Sequence, residues 1–286
     1  MLKIVIIIFI VLFILLLAVG IFDGNRFEVV KEQFELPKLT KQCRFVMISD
    51  LHNKVYGNKN DKVIEAVKEA KPDFVIIAGD LITSHVNESI DPGVSLVNAL
   101  SKDYKVYYGM GNHETRMNSE RDTFGDKFDK LIKGVEHPNV TVLMNDNCYL
   151  DEYNIQITGL ELERMYFAHF RKRKMKDNYM EEHVGKVKEK CCNILVAHNP
   201  DYFDEYAKWG ADLVLSGHVH GGIMRLPVLG GVIAPSYKLF PKYDGGVFKK
   251  GKSTMLLGRG MGAHTIPFRF FNPAQLYIVT LVPKAE

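Results

Sequence analysis

The chain reads as an α/β protein behind a single apolar segment, and three observations carry that reading. From residue 44 onward, short apolar runs alternate with stretches of helical periodicity, the pattern of a sheet with parallel pairing. Almost every one of those runs ends in Asp, Asn or His. Residues 4–22 are nearly all Ile, Leu, Val and Phe, without a charge.

That first segment would span about 28 Å as a helix, close to the hydrocarbon thickness of a bilayer. Ala18-Val19-Gly20 offers a small-residue cleavage site, but the apolar run continues beyond it. A retained anchor is therefore preferred to a cleaved signal peptide. Orientation stays open. Arg26, Lys31, Lys38 and Lys41 against Lys3 favour a cytoplasmic domain, whereas the short amino tail favours export, which is slightly preferred. Residues 23–43 are polar, mixed in charge and contain Pro37; they read as a linker to a domain at 44–286.

Within that domain, 45–49 (FVMIS) is a strand, and 61–70 a helix with Val63, Ile64 and Val67 on one face. The run 74–78 (FVIIA) is a second strand, 94–100 a helix and 104–108 a third strand. A polar helix follows around 123–133. Beyond residue 140 the elements shorten to strands at 140–143, 154–158, 194–197 and 211–215. The last sixty residues, rich in Gly and Pro, are β-rich and close on a strand at 276–281.

With 286 residues, 47% of them hydrophobic, the chain can bury a large core. A net charge of +3 gives no sign of a nucleic-acid partner. The four cysteines have neither a disulfide-framework pattern nor zinc-site spacing, so buried thiols are expected.

The chemistry concentrates at strand ends. They read Asp50-Leu51-His52, Gly79-Asp80, Gly111-Asn112-His113-Glu114, His198-Asn199-Pro200 and Gly217-His218-Val219-His220. Ligands of open α/β sheets bind outside the carboxyl ends of the strands, so these side chains would converge on one crevice. Any single one has a bland explanation, since an Asp after a strand is often a helix cap and a lone His is often a packed polar residue. Five in succession are not explained that way.

In this order the residues resemble the signature of the calcineurin-like metallophosphoesterases: D-x-H, G-D, G-N-H-D/E, a lone His, and G-H-x-H. The resemblance covers roughly 44–283, and the tail segments RLPVLGG, LFPKYDGG, GRGMGAH and FRFFNP look like the bacterial branch with an amino-terminal export or membrane segment. It implies a sandwich of two mixed β-sheets flanked by helices, here behind one transmembrane helix. It also implies two metal ions, one held by Asp50, His52 and His220 and the other by Asn112, His198 and His218, with Asp80 bridging them. A mixed N/O donor set without thiolate suits divalent or trivalent Mn, Fe or Zn. In the implied mechanism a metal-bridging hydroxide attacks phosphorus in line. His113 stands beside the metals to protonate the leaving group, and Glu114, where many relatives have Asp, orients the His113 ring.

The expected function is hydrolysis of phosphoester or pyrophosphate bonds. The natural substrate is open, with membrane-borne lipid-linked phosphates among the options. A non-catalytic metal-binding scaffold on the same fold is the alternative, and the completeness of the ligand set argues against it. Residues 163–190 form an insertion carrying Met165, Tyr166, Phe167 and Phe170, then Arg171, Lys172, Arg173, Lys174 and Lys176. It reads either as a solvated charged helix or as a cap with aromatics toward lipid and cations toward phosphate. Arg259, His264 and Arg269 read equally as contacts to substrate phosphate or a leaving group and as partners of surface carboxylates. Trp209 reads as a packing residue, and His85, His137, His169 and His183 have no motif context.

Overall fold

In the computed structural model, residues 1–168, 172–222, 224–226, 229–233, 239–263 and 268–284 are described. The first half contains α1 (Leu2–Gly24), β1 (Phe27–Leu36), β2 (Cys43–Ile48), α2 (Asp61–Ala70), β3 (Phe74–Ala78), α3 (Asp91–Leu100), β4 (Lys105–Gly109), α4 (Asn112–Ser119), α5 (Arg121–Phe124), α6 (Lys127–Gly134) and β5 (Val140–Leu143). The second contains β6 (Asp146–Leu150), β7 (Ile155–Leu160), α7 (Tyr179–Val184), β8 (Cys192–Ala197), α8 (Phe203–Trp209), β9 (Leu213–Ser216), β10 (Arg225–Leu226), β11 (Gly230–Gly231), β12 (Gly246–Lys250), β13 (Ser253–Leu257) and β14 (Ala274–Pro283).

Among the described residues the strands pair into two six-stranded mixed sheets, ordered β1-β14-β2-β3-β4-β5 and β12-β13-β9-β8-β7-β6, with β10 and β11 forming a separate two-stranded one. Strands β2 to β5 run parallel, as do β13, β9, β8 and β7. In both sheets the parallel strands therefore deliver their carboxyl ends to one side. Alternate side chains of each strand enter different layers. Phe45, Met47, Phe74 and Ile76 meet Ile155, Ile157, Ile194 and Leu215 between the sheets. Val46, Ile48, Val75 and Ile77 pack outward on Val63 and Val67 of α2 and Leu96 and Val97 of α3. Burial on both faces explains why these strands read as unbroken apolar runs. Each such side chain contributes about 1.5–3 kcal/mol.

The linker expected at 23–43 is not what the chain forms there. Strand β1 occupies 27–36 and pairs parallel with β14 along its whole length, from Phe27↔Ala274 to Leu36↔Pro283. It is an edge strand whose sequence, FEVVKEQFEL, buries only Phe34 and Leu36. Charged residues on an open edge discourage further pairing, and they also gave the segment its linker-like composition. Helix α1 is 23 residues long and apolar enough to cross a membrane by length and composition.

The insertion at 163–190 is not one charged helix. Among its described residues a 3₁₀ stretch covers Arg164–Phe167 and α7 is six residues long, while 172–178 is irregular. Nor does its aromatic set simply face outward, because Tyr166 is buried against Tyr179 and Tyr202. Lys172 reaches the Asp201 carbonyl at 2.6 Å and lies over the Tyr202 ring. His169, Phe170 and Arg171 lie outside the described residues.

Candidate metal centre

The site is built from loops that leave the strands and turn back sharply. Asp50, His52, Asp80, His218 and His220 all hold positive φ, between 48° and 74°. This region costs an L-residue about 1–2 kcal/mol, and here it turns successive polar side chains into one crevice. Two glycines make the approach possible. A Cβ on Gly217 would lie 2.3 Å from Asp50 Oδ2, and one on Gly111 the same 2.3 Å from the Asp80 amide nitrogen.

The structure gathers the predicted ligands into overlapping groups. Asp50, His52 and His220 offer donor atoms within 4.8 Å of one another, as do Asp80, His198 and His218, and a third group, His52, Asp80 and His113, shares one member with each. His52 Nε2 and His220 Nε2 face each other at 3.0 Å, and His220 Nε2 lies 3.3 Å from Asp50 Oδ1. In the second group His198 Nε2 is 3.1 Å from Asp80 Oδ2, and His218 Nδ1 is 2.6 Å from Asn112 Oδ1. Asp80 touches both groups. Its Oδ1 accepts the His113 amide at the start of α4, 2.9 Å away, which leaves Oδ2 facing His198 and also His52 at 3.7 Å. Asp50, His52, Asp80, His198 and His220 are buried; Asn112 and His218 are half-buried at the mouth.

These residues fit metal ions. The donor set is carboxylate, imidazole and amide oxygen, and the ring nitrogens point at carboxylates and at each other. His198 Nδ1 lies 2.7 Å from the Ala78 carbonyl, an acceptor only, so that nitrogen carries a proton and Nε2 is the metal-facing atom. Burial lowers the affinity of His198 for a second proton, but Asp80 and Asp50 outweigh it and push the group up to about 10. Burial pushes Asp50 up to about 6, against the opposing pull of His198. Asp80 is raised by burial too, yet His198, His113 and His52 hold it well below the usual carboxylate range. A site this rich in mutually stabilised charge offers a cation what the His198 proton otherwise supplies.

Residues 43–222, which carry all five motifs, match the family of calcineurin-like phosphoesterases. The chain belongs to that family. Membership makes it a phosphoesterase-class hydrolase, with a fold and a donor set in keeping. An uncharacterized metallophosphoesterase of Campylobacter jejuni is 31% identical over 90% of this chain and 64% of its own length. One from Helicobacter pylori is 27% identical over 93% of this chain and 67% of its own. One from Bacillus subtilis is 26% identical over 83% and 78% respectively. The chain thus spans about two thirds of the length of the first two.

Within this phosphoesterase the two predicted catalytic residues occupy different positions. His113 is beside the carboxylate Asp80, its Nε2 4.0 Å from Oδ2. The ring is held by Ser84, whose amide donates to Nδ1 at 2.8 Å with its hydroxyl at the same distance. Glu114, expected to orient that ring, instead binds the loops. Its carboxylate accepts from the amides of Asp80, Leu81 and Gly111 and from the Tyr108 hydroxyl, at 2.8–3.0 Å. Burial, then the nearby Asp80, pushes it up to about 7.

Sequence reasoning missed Ser84, Tyr108 and Asn272. Nothing in a lone Ser, Tyr or Asn marks it; Asn272 lay inside the tail segment FRFFNP and Tyr108 inside the strand read at 104–108, neither with a role. Among the described residues, Arg269 contacts neither a surface carboxylate nor the crevice in the way either reading expected; it is scaffold. It is buried, and its guanidinium donates to the carbonyls of Arg259, Gly260, Gly262 and Asn272 at 2.6–3.3 Å. Arg259 is half-buried against Gly221 and Gly245, and His264 lies outside the described residues. Phe167 forms a wall, its ring 5.2 Å from that of His218.

Proposed function

We propose that the chain is a two-metal phosphoesterase, anchored to a membrane by α1, that hydrolyses phosphoester or pyrophosphate bonds. The observation that carries this reading is the position of Asp80 Oδ2, within 3.7 Å of ring nitrogens from both ligand groups. Asp50, His52 and His220 would hold one ion, Asn112, His198 and His218 the other, and Asp80 both. When bound, such ions supply Lewis acidity at the phosphoryl oxygens and lower the pKa of the attacking water. Mn, Fe and Zn all suit the donors.

The chain's own residues do the rest. Asp50 and Asp80 supply the negative charge that lets two cations lie close together. His113, with Nδ1 accepting the Ser84 amide, carries its ring proton on Nε2 and presents it toward the crevice. There it would donate to a phosphoryl or leaving oxygen. With its lone pair taken by the Ser84 amide, Nδ1 carries no proton in this geometry, so Nε2–H serves as a hydrogen-bond donor to that oxygen. Outright proton transfer would need the ring to be protonated at Nδ1, the Ser84 amide giving way and the Ser84 hydroxyl accepting from it. Phe167 would stand beside the bound substrate on the His218 side, its ring 5.2 Å from that imidazole.

The test is metal analysis of the purified full-length chain together with hydrolysis of a nitrophenyl phosphodiester under added Mn²⁺, Fe²⁺ or Zn²⁺. About two ions per chain and metal-dependent turnover are expected. Metal bound without turnover on any ester would favour the scaffold reading.

A further inference from the structure

Helix α1 does not lead into a spacer. Gly20, Asp23 and Gly24 are buried, and the Gly20 carbonyl accepts the Arg269 amide at 3.2 Å. A Cβ at Gly20 would lie 2.6 Å from the Phe270 ring, so the helix end sits directly on that segment. A 23-residue helix is about 34 Å long, against about 30 Å of hydrocarbon. The helix is therefore used up where the domain begins.

A small ladder of backbone extends from this joint. Arg225 N–H donates to Phe270 O at 3.0 Å, Val232 N–H to Met224 O at 2.9 Å, and Phe240 N–H to Val232 O at 2.9 Å. Three such steps of about 5 Å put its far edge roughly 15 Å from the helix end. Along it Leu229, Leu239, Phe240 and Phe271 are each more than half exposed, as are Ile21 and Phe22 at the helix end. Phe240 and Phe271 moreover hold φ of 47° and 54°, a conformation bulky residues rarely adopt. Isolated exposed apolar side chains need no explanation. These are continuous with an apolar helix, which does.

The same ladder holds the metal-ligand loop. Asn272 Nδ2 donates to the carbonyls of His220 and Gly222 at 2.7 and 2.6 Å. Arg269 Nη2 donates to the Gly262 carbonyl at 2.6 Å, and that carbonyl lies 3.3 Å from His220 Nδ1. One arginine and one carbonyl separate the end of α1 from a predicted metal ligand.

We infer that the ladder carrying Leu229, Leu239, Phe240 and Phe271 seats the domain on the bilayer surface, so that the crevice takes amphiphilic phosphoesters whose head groups lie in that surface. The choice of substrate rests on the phosphoesterase reading above; the docking does not. The occupant is a lipid surface because the patch continues from a helix of membrane-spanning length.

The experiment uses the full-length chain in nanodiscs of phosphatidylcholine and phosphatidylglycerol. Trp209 is the single tryptophan, so Trp209→Phe gives a silent background. Into it go Phe240→Trp, Phe271→Trp or, as a control, Tyr149→Trp on the exposed part of β6. Lipids brominated in their acyl chains should quench the first two about twofold or more, as for side chains at the acyl boundary, and leave the third unchanged. Equal quenching at all three sites, or none, overturns the docking. In a second arm, Leu229, Leu239, Phe240 and Phe271 are all changed to Ser. Hydrolysis of a phosphodiester lipid in the nanodisc should fall about tenfold while that of a soluble aryl phosphodiester stays the same. Parallel loss on both, or on neither, overturns the substrate assignment. If the unaltered chain cleaves no ester with any metal, the substrate assignment falls together with the phosphoesterase reading, and quenching still decides the docking.

Discussion

Glu114 Oε2 accepts the amide of Asp80 at 3.0 Å, which ties the start of α4 to the loop carrying the carboxylate that both ligand groups share. The same carboxylate takes the amides of Leu81 and Gly111 and the hydroxyl of Tyr108. Its role is to fix the position of Asp80, and through Asp80 the relation between the two groups.

Glu114→Gln should therefore weaken metal binding without removing a ligand. The new amide NH₂ would face donors where an acceptor stood, and a buried donor left unsatisfied costs about 1–3 kcal/mol. Loss of such an orienting partner typically costs about 10–100-fold in metal affinity. Titration calorimetry with Mn²⁺ and a thermal melt are the measurements. Unchanged affinity and an unchanged melting temperature would show that the carboxylate is dispensable.

Asp80→Ala tests the shared position itself. Asp80 Oδ2 faces His198 and His52 alike, so its removal should reduce the metal content below that of the unaltered chain and lower turnover at least about a thousandfold, as for an essential charge in a two-metal site. The fold should survive, because the strands on either side are buried independently of this side chain. Elemental analysis showing two fully bound ions in the variant would falsify the bridging assignment.

His113→Ala separates binding from proton delivery. The ring is anchored by Ser84, and its Nε2 stands 4.0 Å from Asp80, beside the ligand cluster. The variant should keep its metal content yet lose about 10²–10⁴-fold on esters with alkoxide leaving groups. A nitrophenyl ester, whose leaving group needs no proton, should lose much less. A uniform loss across leaving groups would point to charge stabilisation alone.

How much of this was written in the sequence differs between the two halves of the problem. The residues that gather in the candidate site were legible because each follows a strand buried on both faces, and such strands appear as unbroken apolar runs whose ends are easy to place. The supporting residues were not. Ser84 and Asn272 act through contacts with residues far away in the chain, as in the 52-residue separation of Asn272 from His220, and Tyr108, though only six residues from Glu114, reads as one more residue of an apolar strand. Glu114 was legible as a residue of the motif but not in its role, because the direction of its side chain depends on where the Asp80 loop lies. The insertion at 163–190 misled for a related reason. Its charge dominated its composition, whereas its fold is set by Tyr166 and Tyr179, which pack into the core.

The stretch read as a linker gives the remaining prediction. If residues 23–43 were a tether, a chain starting at Arg26 and one starting at Leu39 would be equally stable. Strand β1 predicts otherwise. It pairs residue by residue with β14, which in turn pairs with β2, the strand that leads to Asp50 and His52. Removing it exposes the outer edge of β14 and strips Phe34 and Leu36 from the layer between the sheets. Those two side chains alone account for about 3–6 kcal/mol, a large share of the roughly 5–15 kcal/mol that holds a typical domain together. The chain from Arg26 should therefore melt cooperatively, whereas the chain from Leu39 should melt far lower or be recovered only as aggregate through its uncovered edge. Phe34→Ala in the chain from Arg26 gives the graded version, with about 3–5 kcal/mol expected if its ring packs as a core residue. Equal melting temperatures for the two truncated chains would return the segment to the status of a tether.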